Sequence, residues 1–256
     1  MGRFWEFVRK ANAPSGRLPL VHATDLFCFR RIRMEARLVP TACEVYGGQK
    51  LLYFFYGRPS YRPHAQLDTV TAKALLPVCL VVSREVAQDA VRVMPFDTGA
   101  FYRKMMHPPI HEMMELGEFE LGLAASAPMR VVDLFYGGER QYYLAKARPS
   151  LVSYDEFEDL EVDSYFRLLH HRANTAFDDR VTAIEFQLDK PVDIAGRIEA
   201  AILPKPYLDR PGVAEQINGW GGIPSPYNVK EEFVPREIQG AIFDRLTDYL
   251  EHGGVF

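Results

Sequence analysis

The chain has 256 residues, of which 48% are hydrophobic and 25% charged, and its formal net charge is −4. This composition is ordinary for a globular protein with a sizeable core, and it excludes a uniformly basic surface for nucleic acids. The three cysteines are an odd number without close spacing, a pattern that suggests neither a disulfide framework nor a zinc ribbon. No apolar run approaches the roughly 18 residues that span a bilayer, and no signal-peptide pattern is present. We therefore expect a cytoplasmic protein that does not contact membranes.

The N-terminal half predicts apolar strands that alternate with capped helices. Residues 18–22 form an apolar segment that ends on His22, and either Thr24 or Asp25 can cap a helix that continues to about residue 38. Asp97 is predicted to cap a short helix that ends near residue 105. Further strands are predicted at 50–56, 77–83 and 92–96.

The C-terminal half predicts a mixture of amphipathic helices and strands. Apolar residues at helical spacing predict an acidic helix over 154–171. A strand is predicted over 180–188, where alternation buries Thr182, Ile184 and Phe186 and places Glu185 on the opposite face. The remaining predicted elements are a strand at 198–203, a helix at 208–218, a loop rich in Gly and Pro at 219–226, and an amphipathic helix at 234–251.

Two clusters of polar residues are candidates for binding. The arginines lie on the first long helix, where they form either a local basic patch for nucleic acid or an ordinary solvated face; they are Arg30, Arg31, Arg33 and Arg37. His107, His111 and Glu112 do not have the spacing of a helical zinc motif. We therefore predict no metal site.

Three short segments near the N-terminus follow one another in a distinctive order. They are Leu18-Pro-Leu-Val-His22-Ala23-Thr24, then Gly48-Gln-Lys-Leu-Leu-Tyr53-Phe54, then Gly57-Arg58-Pro59-Ser60-Tyr61. This order resembles the NAD-binding core of the ADP-ribosyltransferases that use a His-Tyr-Glu triad, the class typified by the poly(ADP-ribose) polymerases. The resemblance implies an α+β fold with a split, mixed β-sheet core and flanking helices. We expect one such domain over residues 1–256, with an insert at about 97–175 and a C-terminal helix.

The resemblance also implies how NAD would be bound. His22 would bind the ribose on the adenosine side, and the backbone of Ala23 would hold the nicotinamide amide. Thr24 completes this NAD-binding motif. Tyr53 would be the tyrosine of the triad.

The turn after the second strand would hold the nicotinamide. The resemblance implies that Ser60 bonds the nicotinamide amide and that Tyr61 stacks on the ring. Because the connection from Tyr53 to Tyr61 is short, Tyr56 is an alternative stacking residue. Arg58 either meets the NAD phosphates or is an ordinary surface arginine.

Glu185 is the candidate for the third triad residue. Loss of nicotinamide leaves a cationic ribose, which needs a negative charge close by. A glutamate between Ile184 and Phe186 is in an unusual position for a solvated charge. The alternative is a glutamate on an edge strand that faces solvent. The order that follows, with Pro191-Val-Asp-Ile, a strand and then a helix, is similar to the tail of the DarT-type toxins, which ADP-ribosylate DNA.

The resemblance predicts a mono-ADP-ribosyltransferase in which Glu185, Tyr53 and His22 are catalytic and NAD is the co-substrate. A nucleic-acid acceptor, DNA or RNA, is favoured, which would fit a toxin or a phage-defence effector. An antitoxin partner is expected if the protein is a toxin. The alternatives are a protein acceptor, an NAD glycohydrolase or RNA phosphotransferase on the same fold, and an inactive fold that only binds NAD.

Overall fold

The computed structural model describes residues 2–60, 63–64, 66–151, 153–171 and 180–256. The strands are β1 (Leu20–Asp25), β2 (Arg37–Leu38), β3 (Thr41–Ala42), β4 (Lys50–Tyr56), β5 (Pro77–Val82), β6 (Arg92–Met94), β7 (Glu185–Leu188), β8 (Val192–Asp193), β9 (Ile198–Pro204) and β10 (Ile223–Tyr227). The helices are α1 (Arg3–Val8), α2 (Leu26–Glu35), α3 (Thr98–Tyr102), α4 (Leu116–Phe119), α5 (Ala127–Tyr136), α6 (Glu139–Tyr143), α7 (Leu160–His170), α8 (Lys205–Leu208), α9 (Val213–Gly219) and α10 (Pro235–His252). Short 3-10 segments lie at Lys73–Leu75, Arg84–Asp89 and Arg180–Thr182. The fold is α+β with a mixed β-sheet core and flanking helices, as the sequence predicts.

The chain divides into two compact units, and it passes between them several times. The first unit comprises Met1–Arg17, Ala42–Leu51 and Ala87–Asp189. The second comprises Leu18–Thr41, Leu52–Val86 and Lys190–Phe256. The predicted insert at 97–175 falls within the first unit, and the organisation as a single domain stays a prediction. In the described parts of the chain, no helix is long and apolar enough to cross a membrane.

The second unit is built on strands in the order β10-β9-β5-β1-β4. β10 runs parallel to β9, whereas β9, β5, β1 and β4 pair antiparallel with their neighbours. β5 is buried along its whole length, which explains its continuous apolar sequence. Helix α10 packs on β5, β9 and β10, and its buried residues Ile238, Ile242, Leu246 and Leu250 recur at helical spacing.

The first unit has an aromatic core. Phe4 of α1 lies 5.1 to 5.9 Å, between ring centroids, from Phe119, Phe135 and Tyr165. The Tyr165 hydroxyl donates to the carbonyl of Pro95, 3.2 Å away, so this buried polar atom is satisfied. Strands β6 and β7 pair antiparallel in the same unit, with Met94 opposite Glu185 and Arg92 opposite Gln187.

Several predicted elements are confirmed. The strand at 50–56 has those bounds, the terminal helix spans Pro235–His252, and the strand predicted at 77–83 spans Pro77–Val82. Asp25 caps α2 by accepting from the backbone N–H of Cys28 at 2.8 Å, and Asp97 caps α3 by accepting from that of Ala100 at 2.7 Å.

Two predicted helices are shorter than expected. The helix predicted at 154–171 begins only at Leu160, because the Asp155 carboxylate accepts from the backbone N–H groups of Phe157 and Glu158 and forms a turn. The helix predicted at 208–218 is divided into α8 and α9, because Pro211-Gly212 interrupts it.

Two predictions about strands are wrong. Residues 180–182 form a 3-10 turn, so the strand around Glu185 covers only Glu185–Leu188, and both of its faces are buried. The predicted loop at 219–226 contains β10, which pairs with β9. Pro224 and Pro226 suggest a loop, but a strand at the end of a sheet tolerates prolines because half of its N–H groups have no partner strand.

Candidate active site

The Glu185 carboxyl is buried on β7 of the first unit and is 2% exposed. Side chains two residues apart on a strand lie on the same face, so Gln187 is its neighbour. Asp97 caps α3 and thereby makes Thr98 the first helical residue, beside the same carboxyl. The alternative of a solvent-facing glutamate on an edge strand is therefore wrong.

Three donors hold the Glu185 carboxyl in one orientation. The Thr98 hydroxyl donates to Oε1 at 2.8 Å, and the Thr98 backbone N–H donates to Oε2 at 3.2 Å. The amide Nε2 of Gln187 donates to Oε1 at 2.7 Å. Each of these bonds favours the charged form of the carboxyl.

Burial nevertheless keeps the proton on this carboxyl. Burial, followed by the charge of the neighbouring Asp97, raises the pKa of Glu185 from 4.5 to about 8, while the bonds from Gln187 and Thr98 lower it. At neutral pH the carboxyl is therefore largely protonated before any ligand arrives. A strongly perturbed carboxyl at a fixed position is typical of functional sites.

His22 and Tyr53 are brought together on adjacent strands of the second unit. The His22 atom Nδ1 lies 2.9 Å from the backbone carbonyl oxygen of Tyr53, and the His22 ring lies 5.6 Å from that of Phe54. A carbonyl only accepts, so Nδ1 carries the hydrogen, and in the neutral ring Nε2 is an acceptor. Burial lowers the pKa of His22, and the bond to Tyr53 opposes this shift. The ring thus offers an acceptor atom to a hydroxyl or N–H donor.

The other predicted NAD-binding residues differ in exposure. Ala23, Thr24 and Tyr53 are partly buried on β1 and β4. Ser60 and Arg58 are fully buried, so the alternative of an ordinary surface arginine is wrong for Arg58. Tyr61 lies outside the described residues. Tyr56, the alternative stacking residue, is 5% exposed.

The arginines predicted to lie on the first long helix do not form one continuous basic patch, and α2 ends at Glu35, so that Arg37 lies on β2. Arg33 donates from Nε to Gln216 Oε1 at 2.6 Å, and Arg37 donates from Nε to Asp193 Oδ1 at 2.6 Å. Arg30 and Arg31 are exposed, and the Arg30 guanidinium lies 5.2 Å from the centre of the Phe27 ring.

Several residues around the predicted ones were missed by reasoning from sequence. Thr98 and Gln187 donate to Glu185, and only the Glu-x-Gln spacing on a strand could have indicated Gln187. Asp97, which was predicted only as a helix cap, also acts on Glu185 through its charge. In the second unit, His64 Nε2 lies 2.9 Å from Asp25 Oδ2, a pair that spans 39 residues of sequence.

A comparison with protein-family models and with curated proteins found no match. No group of three or more His, Cys, Asp and Glu side chains in the described ranges could hold a metal ion. The structure places His22 and Tyr53 in the second unit and Glu185 in the first. That these three residues act together in one reaction is therefore proposed below.

Proposed function

We propose that the protein is an NAD-dependent mono-ADP-ribosyltransferase. The observation that carries the proposal is the Glu185 carboxyl, which is buried and held by three donors from Thr98 and Gln187. A carboxyl fixed in this way is suited to stabilise positive charge that develops on a sugar ring. The acceptor atom of neutral His22 supports the proposal, because a ribose hydroxyl is a donor.

The proposed reaction breaks the bond between C1′ of the ribose and the nicotinamide nitrogen, whose electron pair leaves with neutral nicotinamide. The Glu185 carboxylate accepts a hydrogen bond from the ribose 2′-hydroxyl and stabilises the cationic centre. The acceptor forms a bond to C1′, and its proton passes to Glu185. His22 and Tyr53 bind and orient NAD. The other proposed contacts with NAD come from Ala23, Thr24, Ser60, Tyr61 and Arg58.

The favoured acceptor is a nucleic acid, DNA or RNA. The exposed pair Arg30 and Arg31 supports this choice, since phosphate contacts come mainly from such side chains. A protein acceptor is the second choice. A role as a toxin or phage-defence effector in the cytoplasm, with an antitoxin partner, completes the proposal.

One observation favours a different function. Because the pKa of Glu185 is raised to about 8, the carboxyl carries little charge at neutral pH. A module that binds NAD without turning it over would have this property. An NAD glycohydrolase, in which water takes the place of the acceptor, differs from a transferase because it forms free ADP-ribose and no adduct.

The test is nicotinamide release from NAD by the protein and by Glu185→Gln, with DNA, RNA or protein added separately and each acceptor analysed by mass spectrometry. Glu112→Gln is the control, because Glu112 is an exposed glutamate of the same unit. At NAD concentrations well below saturation, we expect release that rises with pH, reaches half of its plateau near pH 8 and falls at least 100-fold in Glu185→Gln. Release without an adduct indicates the glycohydrolase. Saturable NAD binding without release at any pH indicates the binding module.

A further inference from the structure

The amide of Gln187 has two different ends, and its surroundings decide which end meets Glu185. Arg92 lies opposite Gln187 on β6, and its Nη1 donates to Gln187 Oε1 at 2.5 Å. Guanidinium groups only donate, so the amide oxygen must face Arg92. The amide Nε2 therefore faces the Glu185 carboxyl, 2.7 Å away.

The hydrogens of this amide are fully used. One hydrogen on Nε2 goes to Glu185, and the other lies between the Tyr46 hydroxyl oxygen at 3.3 Å and the Thr98 hydroxyl oxygen at 3.2 Å. The opposite orientation of the amide would place its oxygen against the carboxyl and its NH₂ group against a guanidinium. The contact with the guanidinium would be repulsive in either charge state of Glu185, and the contact with the carboxyl would be repulsive once Glu185 is ionised.

Arg92 is itself held in place. Its guanidinium lies 4.0 Å from the centre of the Tyr46 ring, and its Nε lies 3.6 Å from Glu120 Oε2. The Arg92 side chain is 20% exposed, so these contacts are only partly screened by water. A guanidinium that is held on two sides can fix the orientation of its acceptor.

We infer that Arg92 is a positioning residue for Glu185, which acts through Gln187 by keeping the amide NH₂ group directed at the carboxyl. This inference deepens the proposed function, on which its catalytic meaning rests, although the arrangement can be tested without turnover. The charged and titratable groups around Glu185 are Asp97, Tyr46, Arg92 and, beyond Arg92, Glu120.

The test is a double-mutant cycle read out by the carboxyl titration of Glu185. The protein is labelled with ¹³C at the glutamate carboxyl carbons, and the Glu185 signal is identified by its loss in Glu185→Gln. Gln187→Leu removes the donor and should raise the pKa of Glu185 by about one pH unit. Arg92→Leu should raise it by less than that, because the freed amide still donates part of the time.

If Arg92 acts on Glu185 through Gln187, the pKa shifts caused by Arg92→Leu and Gln187→Leu should not be additive. The double variant should titrate like Gln187→Leu alone, within about 0.3 pH units. Arg92→Lys keeps a donor and should restore the titration of the unmodified protein. Arg103→Leu is the control for loss of an exposed positive charge in the same unit. If Arg92→Leu fails to fold, Arg92→Met takes its place.

The outcomes separate the inference from the proposed function. Additive shifts would show that Arg92 acts by its charge alone, and an unchanged titration in Gln187→Leu would show that the amide does not matter; either result overturns the inference. If nicotinamide is released, the pH at which release reaches half of its plateau should rise in parallel with the titration. If the pKa shifts are not additive but no nicotinamide is released, the inference stands and the proposed function fails.

Discussion

Glu185→Gln should change how the stability of the protein depends on pH. A carboxyl whose pKa is raised on folding favours the folded state only when it is protonated. Its contribution is fully present below the pKa of the unfolded chain, near 4.5, and is lost as pH rises through the folded value of about 8. A glutamine at this position does not titrate and is free of this loss.

The size of the effect follows from the two pKa values. The folded value of about 8 exceeds the ordinary value of 4.5 by about 3.5 pH units. Between about pH 5 and about pH 8, the unmodified protein should therefore lose about 3–4 kcal/mol of stability from this one group. Since Glu185 is 2% exposed, solvent does not reduce this figure appreciably.

The assay is urea denaturation, which gives the free energy of unfolding of both proteins at about pH 5 and about pH 8. The quantity of interest is the change between the two pH values in Glu185→Gln minus the same change in the unmodified protein. The part of the hydrogen-bond energy that depends on the charge of Glu185 is already contained in its pKa, and any loss that does not depend on pH cancels in this double difference. Glu185→Gln should gain about 3 kcal/mol relative to the unmodified protein on going from the lower to the higher pH. Glu112→Gln, at an exposed position, should give a double difference near zero. A value near zero for Glu185→Gln would refute the assignment of a raised pKa.

Three further substitutions test the packing around the site. Thr98→Val keeps the shape but removes the hydroxyl donor to Glu185, and urea denaturation should show a loss of about 1–3 kcal/mol at about pH 9 that diminishes at about pH 5. Asp25→Ala removes the α2 cap and the bond to His64, which should cost about 1–2 kcal/mol in urea denaturation, whereas an unchanged stability would contradict the capping role. Gly57 has φ +61° and an added Cβ would lie 2.7 Å from Leu18 Cδ1, so Gly57→Ala should lower the melting temperature more than Gly47→Ala, where φ is +60° and no atom lies within 4 Å.

Local signals in the sequence predicted much of the fold. The apolar run of β4 and the helical periodicity of α10 gave the bounds of these elements to within a residue. Asp25 and Asp97 were recognised as helix caps because their side chains act on backbone groups only three residues away. Such short-range contacts depend little on the rest of the chain.

The environment of Glu185 could not be predicted in the same way. Periodicity placed Glu185 on the face opposite Ile184, but whether that face is covered depends on elements distant in sequence. Thr98 reaches the carboxyl from 87 residues away, and Arg92 meets Gln187 only through the register of β6 and β7. Register is a property of two strands and is not visible in either sequence alone.

If NAD binds as proposed, the raised pKa of Glu185 should link its binding to the release of a proton. A buried carboxyl reduces stability at neutral pH, so a role in folding does not explain its presence. The nicotinamide ring of NAD is positively charged, and its arrival beside Glu185 would lower the pKa of that carboxyl and release its proton. Binding of NAD at about pH 7 should therefore release close to one proton, and the number should fall towards zero above about pH 9, where the carboxyl is already charged. Calorimetry in buffers of different ionisation enthalpy measures this number directly. Glu185→Gln should bind without proton release, whereas equal release in both proteins would show that the proton comes from another group.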